Sequence, residues 1–155
     1  MSGRYLSLME RDGWEFATRH SASGVVAVVA VTDHSELILV EEFRVPVGRH
    51  CISIPAGLAG DGDENRNEAL EIAAERELVE ETGFSAERYE LLAHSPTSPG
   101  LTDEVISFYM AAELTRIDDG GGVDGENIRV HLVQMSEIDH WLKERQAEGF
   151  MLDNK

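Results

Sequence analysis

The tightest constraint on this chain lies between Gly62 and Phe84, where Arg76-Glu77-Leu78-Val79-Glu80-Glu81-Thr82-Gly83-Phe84 concentrates acids on what reads as one helix. At 3.6 residues per turn, Glu77 and Glu81 stand one turn apart and Glu80 lies about 60° around from Glu77. Three carboxylates therefore share roughly 100° of one helix surface. At about 6 Å and an effective dielectric of about 20, each pair repels by roughly 3 kcal/mol. A divalent cation turns that repulsion into attraction, and hard ions such as Mg²⁺ take oxygen ligands of this kind. On a fully solvated face the same like charges cost only a few tenths of a kcal/mol. Charge clustering alone leaves both readings open.

The rest of the chain is compatible with a single domain spanning residues 1–155, a length that buries a sizeable core. Thirteen basic residues stand against 30 acidic ones, a formal charge of -17. That balance argues against a nucleic-acid binder, since phosphate backbones attract Lys and Arg patches. It also repels anionic membranes and nucleotide substrates unless cations screen it at the site. Cys51 is the only cysteine, so no intrachain disulfide can form and a reducing, cytoplasmic compartment is expected. The chain does not open on a signal-peptide pattern, and its longest apolar run, Val25 to Val31, is too short to span a bilayer.

Along the chain, residues 1–20 alternate as a hairpin extension about the turn Glu10-Arg11-Asp12-Gly13. Val25 to Thr32 reads as a strand covered on both faces, Glu36 to Arg44 as the next, and Cys51 to Ile54 as a short one ending at Pro55-Ala56-Gly57. The acidic, glycine-rich stretch Gly60 to Asn67 reads as a loop. Asn65 with Glu68 three residues on looks like a capping box for a helix that ends at Gly83, with Ile72 and Val79 facing the sheet. Strands are expected at 88–94, 104–114 and 128–134, with the glycine run in Asp118 to Asn127 as a flexible surface loop. Ser136 is a candidate cap for a last helix with Ile138, Trp141 and Leu142 as its apolar stripe. Strands mixed with two helices make the class α/β. The six histidines are scattered without metal-ligand spacing and read as structural or surface.

The acidic helix belongs to a longer pattern: Gly62, five residues, Glu68, seven residues, then Arg76-Glu77-Leu78-x-Glu80-Glu81-x-Gly83-Phe84. These nine positions resemble the Nudix box, the signature of hydrolases that cleave nucleoside diphosphates linked to another moiety. The resemblance implies an α/β/α sandwich around a mixed sheet and a Mg²⁺ cofactor, with Mn²⁺ as the alternative. It assigns Glu77, Glu80 and Glu81 to metal, and Arg76 with Glu68 to an ion pair that orients them. Ile54-Pro55-Ala56-Gly57 looks like the loop preceding the box in enzymes acting on ADP-ribose, where a carbonyl at the position of Ala56 helps hold metal. Either Gly57 or Gly62 can fill the structural glycine position, and the loop between them looks expanded.

The loop around Ser98-Pro99-Gly100 resembles the proline-bearing loop of ADP-ribose pyrophosphatases, which places Pro99 toward substrate. There a glutamate activates water or completes the metal site; Glu104 is the matching residue and Asp103 its rival. The catalytic candidates are thus Glu104, Glu80 and Arg76, and the metal candidates Ala56, Glu77, Glu80, Glu81 and Glu104. Arg44 and Arg49 flank Val45-Pro46-Val47-Gly48; each is either a fork for a phosphate or ribose, or a surface arginine at a strand end. The reaction implied is Mg²⁺-dependent hydrolysis of ADP-ribose, to AMP and ribose 5-phosphate, or of a related nucleoside diphosphate sugar; the alternatives are another Nudix substrate (a nucleotide sugar, a dinucleoside polyphosphate, a nucleoside triphosphate) and a nucleotide-binding module without activity. The implied assembly is a homodimer whose nucleotide pocket draws on Tyr5, Trp14 or Phe16.

Overall fold

The computed structural model describes residues 2–20, 22–60, 68–123 and 125–155. Gly62 and Asn65, and with them the first box glycine and the expected cap, lie outside the described residues.

The amino-terminal alternation forms a hairpin, β1 (Leu6–Arg11) and β2 (Trp14–Arg19), closed by Asp12 and Gly13 at positive φ, the geometry whose twist suits paired strands. Two four-stranded sheets follow. The first has the order β6 (Ala56–Ala59), β3 (Gly24–Ala30), β8 (Val105–Arg116), β7 (Phe84–Pro96). The second runs β10 (Met151–Leu152), β5 (Arg49–Ser53), β4 (Glu36–Arg44), β9 (Arg129–Gln134). The pairs β3–β8 and β5–β10 are parallel and the others antiparallel, so both sheets are mixed. The sheets are joined by a Val31–Leu37 bridge and by the Val28 N–H donating to the Pro55 carbonyl at 2.8 Å.

The continuous apolar run of β3 is explained by two helices, one for each of its faces. Val26, Val28 and Ala30 enter a core closed by α1 (Leu70–Thr82) through Ala73, Ala74 and Leu78. Ala27 joins Leu39, Ile52, Ile54, Ile106 and Val133 in a second core, with Ile138, Trp141 and Leu142 of α2 (Ile138–Ala147) packed against it. The result is the expected α/β/α layering, and the apolar stripe read for the last helix is the one that packs.

Several expectations change. The segment after Pro55 is not a loop but β6, paired with β3 through Ala27–Ala56 and Val26–Gly57. Helix α1 starts at Leu70 behind Ala69, which supplies no side-chain cap, and Glu68 lies ahead of the helix on Arg76. Ile72 is 54% exposed, whereas Ala73 and Ala74 are fully buried. Small side chains let the helix axis approach the sheet, so the contact face carries no row of large apolar residues. Ser136 is not the cap of α2; that position falls to Glu137, without a side-chain hydrogen bond. Strand β10 was not anticipated.

The glycine run is likewise no loose surface loop. Gly121 and Gly122 donate their N–H groups to the Glu81 and Glu80 carbonyls at 3.0 and 2.9 Å, satisfying the open end of α1. Gly120 lies so close to the Thr82 and Gly83 backbone that a Cβ there would overlap it.

The helix-face assignment is tested by urea denaturation of two variants. Leu78→Ala is expected to lose about 2–5 kcal/mol of stability through its cavity, while Ile72→Ala stays within about 0.5 kcal/mol of the parent. The reverse order would place Ile72 on the sheet.

Candidate metal and catalytic site

Helix α1 directs its acidic face at strand β6, and the first contacts follow from that. The Ala56 N–H donates to Glu81 Oε2 at 3.0 Å. Gly57, next along the strand, leaves room for the Glu77 carboxylate, which a Cβ at that position would overlap. The close approach of side chain to backbone is what requires glycine here. Ala56 thus meets the acids through its amide, whereas the expectation concerned its carbonyl.

Arg76 ties the acids together. Its Nε and Nη2 form a two-pronged pair with Glu68 at 3.0 and 3.1 Å. Its Nη1 donates to Glu77 Oε1 and to Glu80 Oε2, both at 2.9 Å, and Nη2 also reaches the Leu58 carbonyl at 3.0 Å. One planar guanidinium thereby fixes three carboxylates and the strand beneath them, a geometry lysine cannot reproduce. Its bonds to Glu68 are the first reason the guanidinium is held still more firmly protonated than usual.

The site is under electrostatic load. Burial pushes the Glu81 carboxyl up to about 8, opposed by the Ala56 amide and reinforced by the charges of Glu77, Glu126 and Glu42. Burial likewise raises Glu77, against the pull of Arg76 and with a push from Glu80 and Glu126. Glu80 is the most open of the three, with 29% of its side chain exposed.

Glu126 is the residue that sequence reasoning missed. It follows the glycine run, and its carboxylate acts through space on both Glu77 and Glu81 while Oε2 accepts the Val123 N–H at 3.2 Å. The available signal was a loop with three successive glycines, which marks close backbone approach. Glu42 of β4 was also missed; it bears on Glu81 and is paired at 2.9 Å with Arg44. Arg44 is thus paired within β4, and its charge bears on Cys51 and Asp153.

The remaining candidates lie elsewhere. Glu104 accepts Arg19 Nε at 3.0 Å and Asp103 accepts Thr18 Oγ1 at 3.0 Å, so both are held by β2. They line a cavity of about 250 Å³ with Ser23, Gly24 and Val105, and none of α1's acids borders it. Pro99 lines a cavity of about 340 Å³ with Arg11, Trp14, Phe16 and Asp103. Arg49 is exposed beside His50, Glu148 and Phe150 in a third, of about 460 Å³, and does not join the acids.

Among the described residues, no three His, Cys, Asp or Glu side chains converge closely enough to hold a metal ion. Glu77 and Glu80 each give an oxygen to Arg76 instead. The donor set nevertheless fits a hard divalent cation: it is all oxygen, with Glu81 buried and Glu77 half-buried at a cost that a cation offsets.

The pattern of known proteins matches this geometry. The NUDIX domain model matches residues 21–152. The chain is 36% identical to the methanol dehydrogenase activator of Bacillus methanolicus, over 79% of this chain and 64% of that protein. It is 40% identical to the ADP-ribose pyrophosphatase of Bacillus subtilis (strain 168), over 65% of this chain and 52% of that one. To the ADP-sugar pyrophosphatase of Mus musculus it is 37% identical, over 70% and 50%. The chain thus spans about half to two thirds of the length of these relatives. A crystal structure of an ADP compounds hydrolase superposes with a TM-score of 0.66 at 20% identity, covering 90% of this chain and 81% of that one, which shows a shared fold.

The buried charge at position 81 generates a pH prediction for metal-free protein. Its folded-state pKa is raised, so above the unfolded value near 4.5 the unfolded chain releases a proton that the folded chain retains. Stability falls from there to about pH 8 and then levels. Glu81→Gln keeps an acceptor for Ala56 and is expected to raise Tm at pH 8 in chelator, with the advantage vanishing by pH 4.5. An equal advantage at both pH values would contradict the assignment. On the strength of the matched model, and with its acidic helix seated on β6 by Arg76, the chain belongs to the NUDIX family.

Proposed function

We propose that the protein hydrolyses the diphosphate bridge of ADP-ribose or a related nucleoside diphosphate sugar, using Mg²⁺ or Mn²⁺, and releases AMP and ribose 5-phosphate from ADP-ribose. The observation that carries this reading is the set of carboxylates on α1, Glu81 buried and Glu77 half-buried against β6, with Arg76 bridging Glu68, Glu77 and Glu80. Similarity to pyrophosphatases that act on ADP-ribose and ADP-sugars supports the substrate class.

Glu77, Glu80 and Glu81 are the residues that would hold the cation. When bound, it neutralises the diphosphate and lowers the pKa of a bound water. Arg76 keeps the carboxylates on one side of the helix and competes with a cation for Glu77 and Glu80, which would have to turn from the guanidinium to hold it. Glu126 bears through space on the charges of the same acids from the loop and is the residue proposed to take the proton from the attacking water, which a carboxylate does at hydrogen-bond range. Glu104, expected for that role, is paired with Arg19 and is the rival candidate for it. Arg44, paired with Glu42, is proposed to meet a phosphate.

The cavity between the hairpin and the Pro99 loop offers Trp14 and Phe16 as stacking surfaces for the base. Residues 1–155 are proposed to act as one domain, with the hairpin as an extension fastened through Thr18–Asp103 and Arg19–Glu104. A homodimer is supported by the exposed apolar residues of that hairpin, Tyr5, Leu6, Leu8 and Trp14. Among the described residues no helix is long and apolar enough to cross a membrane. The proposed cytoplasmic location rests on the single, unbridged Cys51.

The test is incubation with ADP-ribose, sugar nucleotides, diadenosine polyphosphates and nucleoside triphosphates, with and without Mg²⁺, followed by phosphatase and phosphate release. ADP-ribose turnover that needs Mg²⁺ is expected. Glu81→Gln should remain folded and lose nearly all of it, and Glu126→Gln should lower kcat by about 10²–10⁴. Turnover of ADP-ribose in Glu81→Gln at the parent's rate would refute the metal assignment. A Glu104→Gln variant that loses more than Glu126→Gln would return the base to the Pro99 loop.

A further inference from the structure

The second sheet contains a buried charge that the reaction does not use. Glu41 of β4 is 6% exposed, and its two oxygens are both taken. Oε1 lies 3.2 Å from His50 Nδ1, and Oε2 lies 3.0 Å from His131 Nε2 and 3.6 Å from Arg129 Nη1. The rings of this cluster are themselves held: His131 lies 5.0 Å from Trp141 of α2, and His50 sits between Phe43 and Phe150 at 5.4 and 6.0 Å. Replacing such a group by an apolar residue is often neutral or stabilising, so stability alone does not account for a carboxylate here.

Two of its three partners belong to β9, and that is where it acts. Strand β9 is an edge whose one neighbour is β4, with Arg129 opposite Glu41 and His131 opposite Leu39. A slip by one residue would turn both partners to the other face. Directly before Arg129, the Ile128 N–H donates to the Gly121 carbonyl at 3.1 Å, closing the base of the glycine loop. Gly121 and Gly122 in turn donate to the Glu81 and Glu80 carbonyls, and Glu126 lies within the loop so closed.

We propose that Glu41 is a positioning residue: by fixing the register of β9 it sets the root of the loop that caps α1 and presents Glu126 to the acids of Glu77 and Glu81. The proposal rests on the reading of Glu126 as the residue that activates water. Glu41 touches no reacting atom and acts through Arg129, His131 and Ile128.

The test uses Glu41→Gln, which keeps shape and one acceptor, and Glu41→Leu, which removes the polar cluster at similar size. Amide exchange by NMR is read at Gly121 and Gly122, with Val28 and Ile38 as core references, and hydrolysis of ADP-ribose is measured in parallel. In both variants the loop amides are expected to exchange about tenfold faster, the response to losing one charge-assisted hydrogen bond. The core references should be unchanged. kcat should fall about tenfold through misplacement, with KM within twofold. Parent-like protection of Gly121 and Gly122, or a rise in exchange that includes the core equally, overturns the positioning role. Faster loop exchange with parent kcat also overturns it as a role in catalysis. Glu126→Gln then locates the fault: parent kcat there removes the underlying reading, whereas a depressed kcat leaves that reading standing and confines the failure to Glu41.

Discussion

The structure depends on how a helix can bury like charges against a sheet. Glu77 and Glu81 leave water at the contact between α1 and β6, and what offsets the cost is local and specific: the Arg76 guanidinium, the Ala56 amide and the absence of a side chain at Gly57. None of these neutralises the site, as the upward shift of both carboxyls shows. A helix so loaded remains seated because its other residues, Ala73, Ala74 and Leu78, are fully buried in the core. Packing holds the acids in place, and the residual repulsion makes them receptive to a cation.

The same logic explains why the acids are held from three directions. Glu68 precedes the helix and fixes Arg76 from one end. Strand β6 supports the middle, through Ala56 and Leu58. The glycine loop closes the far end by donating to the Glu80 and Glu81 carbonyls, and it brings Glu126 with it. Small residues recur wherever backbone must come close, which is the case at Gly57, at Gly120 and along Ala73-Ala74. In this way the site is assembled from three separate stretches of chain, and the second sheet contributes through Glu42 and the register of β9.

How much of this was readable from the residues follows from the range of each interaction. The acidic face of α1 was legible because helical spacing is local, and so were β3, β4 and the apolar stripe of α2. The buried face of α1 was not: alanines give no apolar signal, and Ile72 looked the better candidate while standing 54% exposed. Ala56-Gly57 read as part of a loop because proline and glycine outweigh a strand that exists only through pairing with β3. Glu104 was favoured by proximity to the Pro99 loop, yet Arg19, 85 residues away, claims it. Glu41 left no local trace, and Glu126 only the glycine run ahead of it. Their partners are distant in the chain, and two histidines read as scattered converge on one carboxylate only after β4, β5 and β9 have paired.

The central claim is that the acids of α1, loaded against β6, are the place where a divalent cation sits. Its most direct measurement is a crystal structure of the protein with Mn²⁺, located by anomalous scattering. The account predicts a peak bounded by Glu77 and Glu81 oxygens, with Glu77 turned from Arg76. A peak remote from α1, with Arg76 still bonded to Glu77 and Glu80, would contradict it.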